Sequence, residues 1–292
     1  MNEGLGSKKE VKTSKGTLRY FERGEGSPIV FLHGLATNPL IWRNVVTELA
    51  GSYRCICPEL PLGGHDVPMS RDADLSLTGL GDLVEETLER LDLRDVTVVG
   101  NDSGGAIAQV FAARHPDRVA RLILTPCDAF EHVPPPRYGY LKAVAFVPGI
   151  PWMLAQEMRA NWMRRIPIAY GPLTKRPIPK EITDRWVAPL RRRDVRRDAM
   201  KYVRAADKRD TIEAAQRLKH FDRPTLIVWS REDPIFPFKD AERLAKLNPN
   251  ARLVEIEDSY GFVSEDQPKR LASELAAFLT HSGTSGEQHP TR

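Results

Sequence analysis

The segment Val98-Val99-Gly100-Asn101-Asp102-Ser103-Gly104-Gly105 constrains this chain more than any other, because a β-branched run passes at once into a glycine-flanked corner and then into the small-residue helical stretch Gly104 to Arg114. In so tight a corner the residues two before and two after the apex must be small. Gly100 and Gly104 meet that condition for Asp102, whereas placing Ser103 at the apex makes Asn101 and Gly105 the flanks, a poorer steric fit. The apex side chain is pushed out over the end of the strand, and the backbone N–H that follows it points at a developing oxyanion. Asp102 is therefore the candidate nucleophile.

Short apolar runs recur on both sides of this corner. Pro28 to Leu32 ends abruptly at His33-Gly34, Arg54 to Cys57 ends at Pro58-Glu59-Leu60-Pro61, and Val96 to Val99, Arg121 to Thr125, Thr225 to Trp229 and Ala251 to Ile256 repeat the signature of a buried strand. Asn38 to Leu49, the leucine-spaced stretch Leu77 to Leu91, and Gln267 to Leu279 read as the intervening helices. Strand and helix in alternation predict an α/β fold with a mostly parallel, doubly wound sheet. Pro134-Pro135-Pro136 opens a stretch rich in Trp, Met and Arg without a convincing strand, which reads as a helical cap inserted into the core. The expected organisation is a core of residues 10–132 and 221–280, a cap of residues 133–220, and flexible termini at 1–9 and 281–292. The run Arg191-Arg192-Arg193-Asp194-Val195-Arg196-Arg197 is expected on a solvated face of a cap helix.

Composition removes several classes of function. With 41% hydrophobic and 28% charged residues over 292 positions, the chain can bury a core. Its net charge of +4 is the small difference between 43 basic and 39 acidic residues, so no nucleic-acid partner is expected. No apolar run approaches the roughly 18 residues that span a bilayer, and no membrane partner is expected either. Three cysteines do not make a disulfide framework, which points to the cytoplasm. Cys55 and Cys57 fall on one face of a short strand, and no second pair stands at metal spacing, so no metal is expected.

With these residues in view, the chain resembles the α/β-hydrolase superfamily, in the branch of haloalkane dehalogenases and epoxide hydrolases whose nucleophile is an aspartate. The resemblance runs from about Gly16 to Thr280 and is weakest in the cap. It implies the α/β-hydrolase fold. Phe31-Leu32-His33-Gly34-Leu35 looks like the family's oxyanion-hole segment, which implies that the backbone N–H groups of Leu35 and Ser103 form the hole and that His33 is structural. Trp229-Ser230-Arg231-Glu232-Asp233-Pro234-Ile235-Phe236-Pro237 is similar to the loop whose acid, here Asp233, orients a catalytic histidine. The loop that carries that histidine looks like Glu257-Asp258-Ser259-Tyr260-Gly261-Phe262-Val263, where the position falls on Gly261.

Four residues remain as accessory candidates. His65 and His132 lie on segments able to approach the pocket, His33 is the structural histidine, and Asp128 stands where some dehalogenases carry their acid. The amide and tryptophan whose N–H groups hold a departing halide in dehalogenases are matched by Leu35 and Ser103, which disfavours a halide as leaving group. Tyr138, Tyr140 and Tyr170 are candidates to protonate an epoxide oxygen. The expected function is hydrolysis of a small, largely apolar electrophile, a haloalkane, epoxide or ester, through Asp102, slowed by the missing base. The alternative is a non-hydrolytic fold member that binds a small apolar ligand or performs base-independent chemistry. Neither reading requires a cofactor. The expected partner is a small-molecule substrate, and the oligomeric state is left open.

Overall fold

The computed structural model of the chain describes residues 4–281. Eight strands form one sheet among the described residues: β1 (Ser7–Thr13), β2 (Gly16–Arg23), β3 (Pro28–Leu32), β4 (Arg54–Pro58), β5 (Val96–Asp102), β6 (Val119–Cys127), β7 (Thr225–Trp229) and β8 (Ala251–Glu255). Their spatial order is β1-β2-β4-β3-β5-β6-β7-β8. β1 and β2 pair antiparallel, β2 pairs antiparallel with β4, and every other pairing is parallel. The central strands are continuous apolar runs because helices cover both faces of a parallel sheet. Val96, Val98 and Val99 are fully buried.

The helices are α1 (Arg43–Leu49), α2 (Leu77–Arg90), α3 (Ser103–Arg114), α4 (Tyr140–Phe146), α5 (Ile150–Glu157), α6 (Lys180–Val187), α7 (Arg193–Ala205), α8 (Lys208–Leu218), α9 (Phe238–Leu247), α10 (Val263–Asp266) and α11 (Pro268–His281). The helix expected from Asn38 begins as a 3₁₀ turn, Pro39–Trp42, capped by Asn38 Oδ1 accepting from the Leu40 N–H at 3.1 Å. Pro39 at the first position, where a missing N–H costs nothing, suits that start.

Two boundaries differ from the sequence reading. Residues 7–9, expected in a flexible terminus, belong to β1, whose backbone is held along its whole length by β2. Residues 1–3 and 282–292 of the expected flexible ends lie outside the described residues. The inserted segment is also shorter than 133–220. Helix α8 packs on α3, buries Ala214, Ala215 and Leu218, and Thr211 Oγ1 on it donates to the Phe130 carbonyl at 2.6 Å, so α8 is a layer of the core. Its composition is as polar as that of α6 and α7, and its packing partner distinguishes it from them. The segment that holds α4 to α7, between β6 and β7, is termed the cap; its helices α4, α5 and α7 help wall the cavity that Asp102 lines.

The arginine run is only partly solvated. Arg191, Arg192 and Arg193 are exposed, although Arg192 reaches the Asp66 carbonyl, whereas Arg197 is half-buried and binds Asp198 and the Met69 carbonyl. These contacts fasten α7 to the core.

Candidate active site

The register of the sheet brings the β3 end beside the β5 end, with Leu32 opposite Gly100 and Asp102 opposite Cys127 of β6. Asp102 has φ 55° and ψ −134°, a backbone conformation that costs a non-glycine residue of order 1–3 kcal/mol and persists only where its surroundings over-determine it. Its surroundings do. A Cβ on Gly100 would lie 2.6 Å from the Gly104 carbonyl oxygen, and one on Gly104 would lie 2.3 Å from that of Leu32, so the corner closes only around two glycines.

The Asp102 carboxylate accepts from the backbone N–H groups of Ser103 and Leu35. Both expected oxyanion donors thus reach the carboxylate oxygens of the candidate nucleophile. Burial pushes Asp102 up to about 6, against the pull of those two N–H groups. Asp128 is buried beside it; its Oδ2 accepts from Ser103 Oγ at 3.1 Å and its Oδ1 has no hydrogen-bond partner. Burial, with the negative charge of Asp102 next to it, holds Asp128 well above the usual carboxylate range. Burial and mutual repulsion thus disfavour two charges on this pair, Asp128 the more strongly of the two. Tyr202, on α7, completes this cluster by sharing a hydrogen bond with the Ser103 side chain.

Asp233 lies further back. Its Oδ1 accepts from the N–H groups of Ile235 (2.8 Å) and Phe236 (3.1 Å), while Oδ2 is buried without a partner. Burial pushes it to about 7, opposed by the two N–H groups and reinforced by the charge of Asp102. At Gly261 no imidazole stands between these carboxyls. A Cβ there would meet the Phe236 ring at 3.1 Å and Leu173 Cδ2 at 3.2 Å, so these two side chains occupy the space next to the expected base position. The Gly261 carbonyl accepts from Asn101 Nδ2 at 2.8 Å, and the same amide donates to the Pro126 carbonyl at 2.9 Å, tying the loop to the corner.

The three histidine candidates lie elsewhere. His33 is buried and pushed down to about 3 by burial; its Nε2 accepts from the Leu60 N–H at 3.0 Å and Nδ1 contacts the Gly34 carbonyl at 3.0 Å, a neutral strut between two loops. His65 Nδ1 accepts from the Gly63 N–H, so Nε2 carries the hydrogen toward Asp198 Oδ2 at 3.3 Å, and the pair joins the core to α7. His132 Nδ1 contacts Asp240 Oδ2 on α9 at 2.5 Å. None of the three lines the cavity. The three cap tyrosines are engaged as well: Tyr138 and Tyr140 donate to the carbonyls of Ala169 and Ile168, each at 2.7 Å, and Tyr170 donates to that of Ala36.

Above the corner lies a cavity of about 210 Å³ with Asp102, Ser103 and Asp128 in its floor and an almost wholly apolar wall, including Leu35, Leu154, Met158, Met200 and Val203. Dry walls strengthen every charge interaction at the floor. Sequence reasoning missed Tyr202, Leu173 and Phe236. Tyr202 sits on the buried stripe of α7 with Val195 and Ala199 and carries no local signal that sets it apart.

A model of the alpha/beta hydrolase fold family matches residues 27–268. Cis-3-alkyl-4-alkyloxetan-2-one decarboxylase of Shewanella oneidensis is 26% identical over 287 residues, covering 93% of this chain and 87% of the relative. Haloalkane dehalogenase 2 of Mycobacterium tuberculosis is 26% identical over 283 residues, covering 90% and 91%. Among solved structures, an alpha/beta hydrolase fold protein from Burkholderia ambifaria superposes with a TM-score of 0.76 at 20% identity, covering 92% of this chain and 97% of that one.

Proposed function

The chain belongs to the alpha/beta hydrolase fold family, and from that premise we propose that it is a hydrolase acting on a small, largely apolar electrophile through nucleophilic attack by Asp102. The observation that carries this reading is the Asp102 carboxyl at the apex of the corner, accepting from two backbone N–H groups and facing an apolar cavity. Attack on an alkyl carbon forms an ester on Asp102. Charge then develops on that ester's carbonyl oxygen during its hydrolysis, where the Leu35 and Ser103 N–H groups stand.

The leaving group we favour is oxygen. Leu35 brings no side-chain donor to a halide, whereas Asp128, which accepts from Ser103 Oγ at the cavity floor, is a carboxyl whose burial beside Asp102 favours its protonated form and so suits it to act as an acid. An epoxide or a strained lactone fits this arrangement better than a haloalkane. Turnover is expected to be slow, because hydrolysis of the ester needs a deprotonated water and loss of a positioned base costs about 10²- to 10⁴-fold.

The test is intact-mass spectrometry after incubation with a short-chain epoxide or alkyl bromide. A persistent adduct that maps to Asp102 and vanishes in Asp102→Asn is expected, forming faster as pH rises through about 6, where Asp102 ionises. Stoichiometric labelling of Ser103 by a fluorophosphonate, without an Asp102 adduct, would overturn the assignment.

A second reading is favoured by Gly261 itself. A 3,4-dialkyl β-lactone needs no water: Asp102 displaces the ring oxygen from C4, leaving a free carboxylate on C3; the C3–carboxylate bond then breaks to release CO₂, its electrons form the C3=C4 double bond, and Asp102 departs. Such base-independent chemistry agrees with the name of the Shewanella relative. Alkene and CO₂ as products, rather than a β-hydroxy acid, distinguish the two readings.

A further inference from the structure

Of the eight large hydrophobic side chains exposed among the described residues, seven fall between positions 140 and 168, in α4, α5 and the turns that follow. Trp162 is 68% exposed, Phe146 67% and Trp152 55%, with Val147, Met153 and Ile168 beside them in the same stretch. Helices α4 and α5 pack against each other, Tyr140 of α4 donates to the Ile168 carbonyl, and Arg164 donates to the Met158 and Arg159 carbonyls at the end of α5, so the stretch folds back on itself within one part of the cap. Exposure of this kind, clustered rather than scattered, marks an interaction surface.

Charge is segregated in the same way. Residues 136–205 hold sixteen Lys and Arg against five Asp and Glu, whereas the rest of the chain holds 27 against 34. Arg159 and Arg165 are exposed within the aromatic stretch itself, and Arg137 is exposed just before it. The small net charge of the whole protein conceals a strongly basic cap.

We propose that this face of the cap docks on the surface of an anionic lipid bilayer, with Trp152, Trp162 and Phe146 in the headgroup boundary and Arg137, Arg159 and Arg165 against lipid phosphates. Indole rings prefer the boundary between water and hydrocarbon, and basic side chains beside them draw on the negative potential of anionic lipids. A second copy of this chain would fit the apolar side chains but would set one basic cap against another, which charge repulsion opposes. The docked face opens on the active-site cavity: Tyr140 and Ile168 line that cavity, are themselves exposed, and are joined by a hydrogen bond of 2.7 Å. An apolar substrate dissolved in the bilayer would reach the cavity without crossing water. Docking is not insertion, since no helix among the described residues is long and apolar enough to cross a membrane. The absence of long apolar runs argued against a membrane partner in the sequence, but that reasoning bears on spanning segments alone.

The full chain should co-sediment with vesicles of phosphatidylcholine containing about 30 mol % phosphatidylglycerol, with a blue shift of tryptophan emission, and bind pure phosphatidylcholine vesicles far more weakly. W152S/W162S and, separately, R159E/R165E should each lower partitioning by at least about tenfold, and high salt should do the same, while circular dichroism is unchanged. Failure to bind the anionic vesicles at low salt would overturn the proposal, as would binding that neither double variant alters. So would a dimer in sedimentation velocity that W152S/W162S dissolves in a protein that leaves the vesicles in suspension, because the face would then be a self-interface. None of these readouts depends on the role of Asp102.

Discussion

Asp233 carries a carboxyl oxygen that is buried without any partner, and the residue next to the expected base position is a phenylalanine ring. Together they specify what restoring a base requires. Gly261→His alone pushes its Cβ against Phe236 and Leu173, so it should cost stability and gain little. Combined with Phe236→Ala, which clears space beside Asp233, the imidazole should shorten the lifetime of the Asp102 ester by about 10²- to 10⁴-fold. Decay of the intact-mass adduct measures this; an unchanged lifetime in the double variant would mean that Asp233 does not orient the ring. Asp233 also makes a prediction about stability. Its folded value of about 7 lies above the unfolded value of about 3.9, so the folded state holds its proton, and the stability it contributes is whole at acid pH and lost as pH rises through about 7. Asp233→Asn removes that loss. Urea unfolding should show the difference between variant and parent moving in favour of Asn by on the order of 1–4 kcal/mol between about pH 4 and pH 8.

At the scale of elements, the inserted segment and the core separate at the α7–α8 junction and not at residue 220. Leu218 on α8 is buried, a contribution of about 1.5–3 kcal/mol for a side chain of its size, and Ala214 and Ala215 pack in the same layer. Excising residues 136–205 with a short linker should leave a cooperatively folding core, whereas excising 133–220 should abolish cooperative unfolding. Thermal melts followed by circular dichroism separate the two, and equal behaviour of the two deletions would return α8 to the cap. Helix α3 shows the opposite case, in which sequence and packing agree. Its glycine- and alanine-rich face lets the helix approach β5 and β6 closely, and its start is set by the corner itself.

Over the whole molecule, the cap is fastened to the core by polar contacts between distant residues. Asp266 accepts from the backbone N–H groups of Lys175, Arg176 and Tyr260 and from Thr174 Oγ1, and His65 meets Asp198 across the cap–core boundary. His65→Ala leaves part of a buried carboxylate unmatched and should cost about 1–3 kcal/mol in urea unfolding, without altering the lifetime of an Asp102 adduct. A change in that lifetime would instead give His65 a part in activating water. The sequence by itself determined the central strands, the helices between them and the corner that presents Asp102, because each depends on sterics and apolar periodicity within some ten residues. It did not determine the β1–β2 hairpin, whose first strand is largely exposed and polar and exists through pairing with its neighbour. Nor did it determine that His65 and His132 are taken up by carboxylates 133 and 108 positions away, that Phe236 and Leu173 crowd Gly261, or that Trp152 and Trp162 face outward. Those were decided by the tertiary structure alone, since a side chain's partner, its burial and its access to a cavity depend on which distant segment the chain brings beside it, and local propensity carries no record of that.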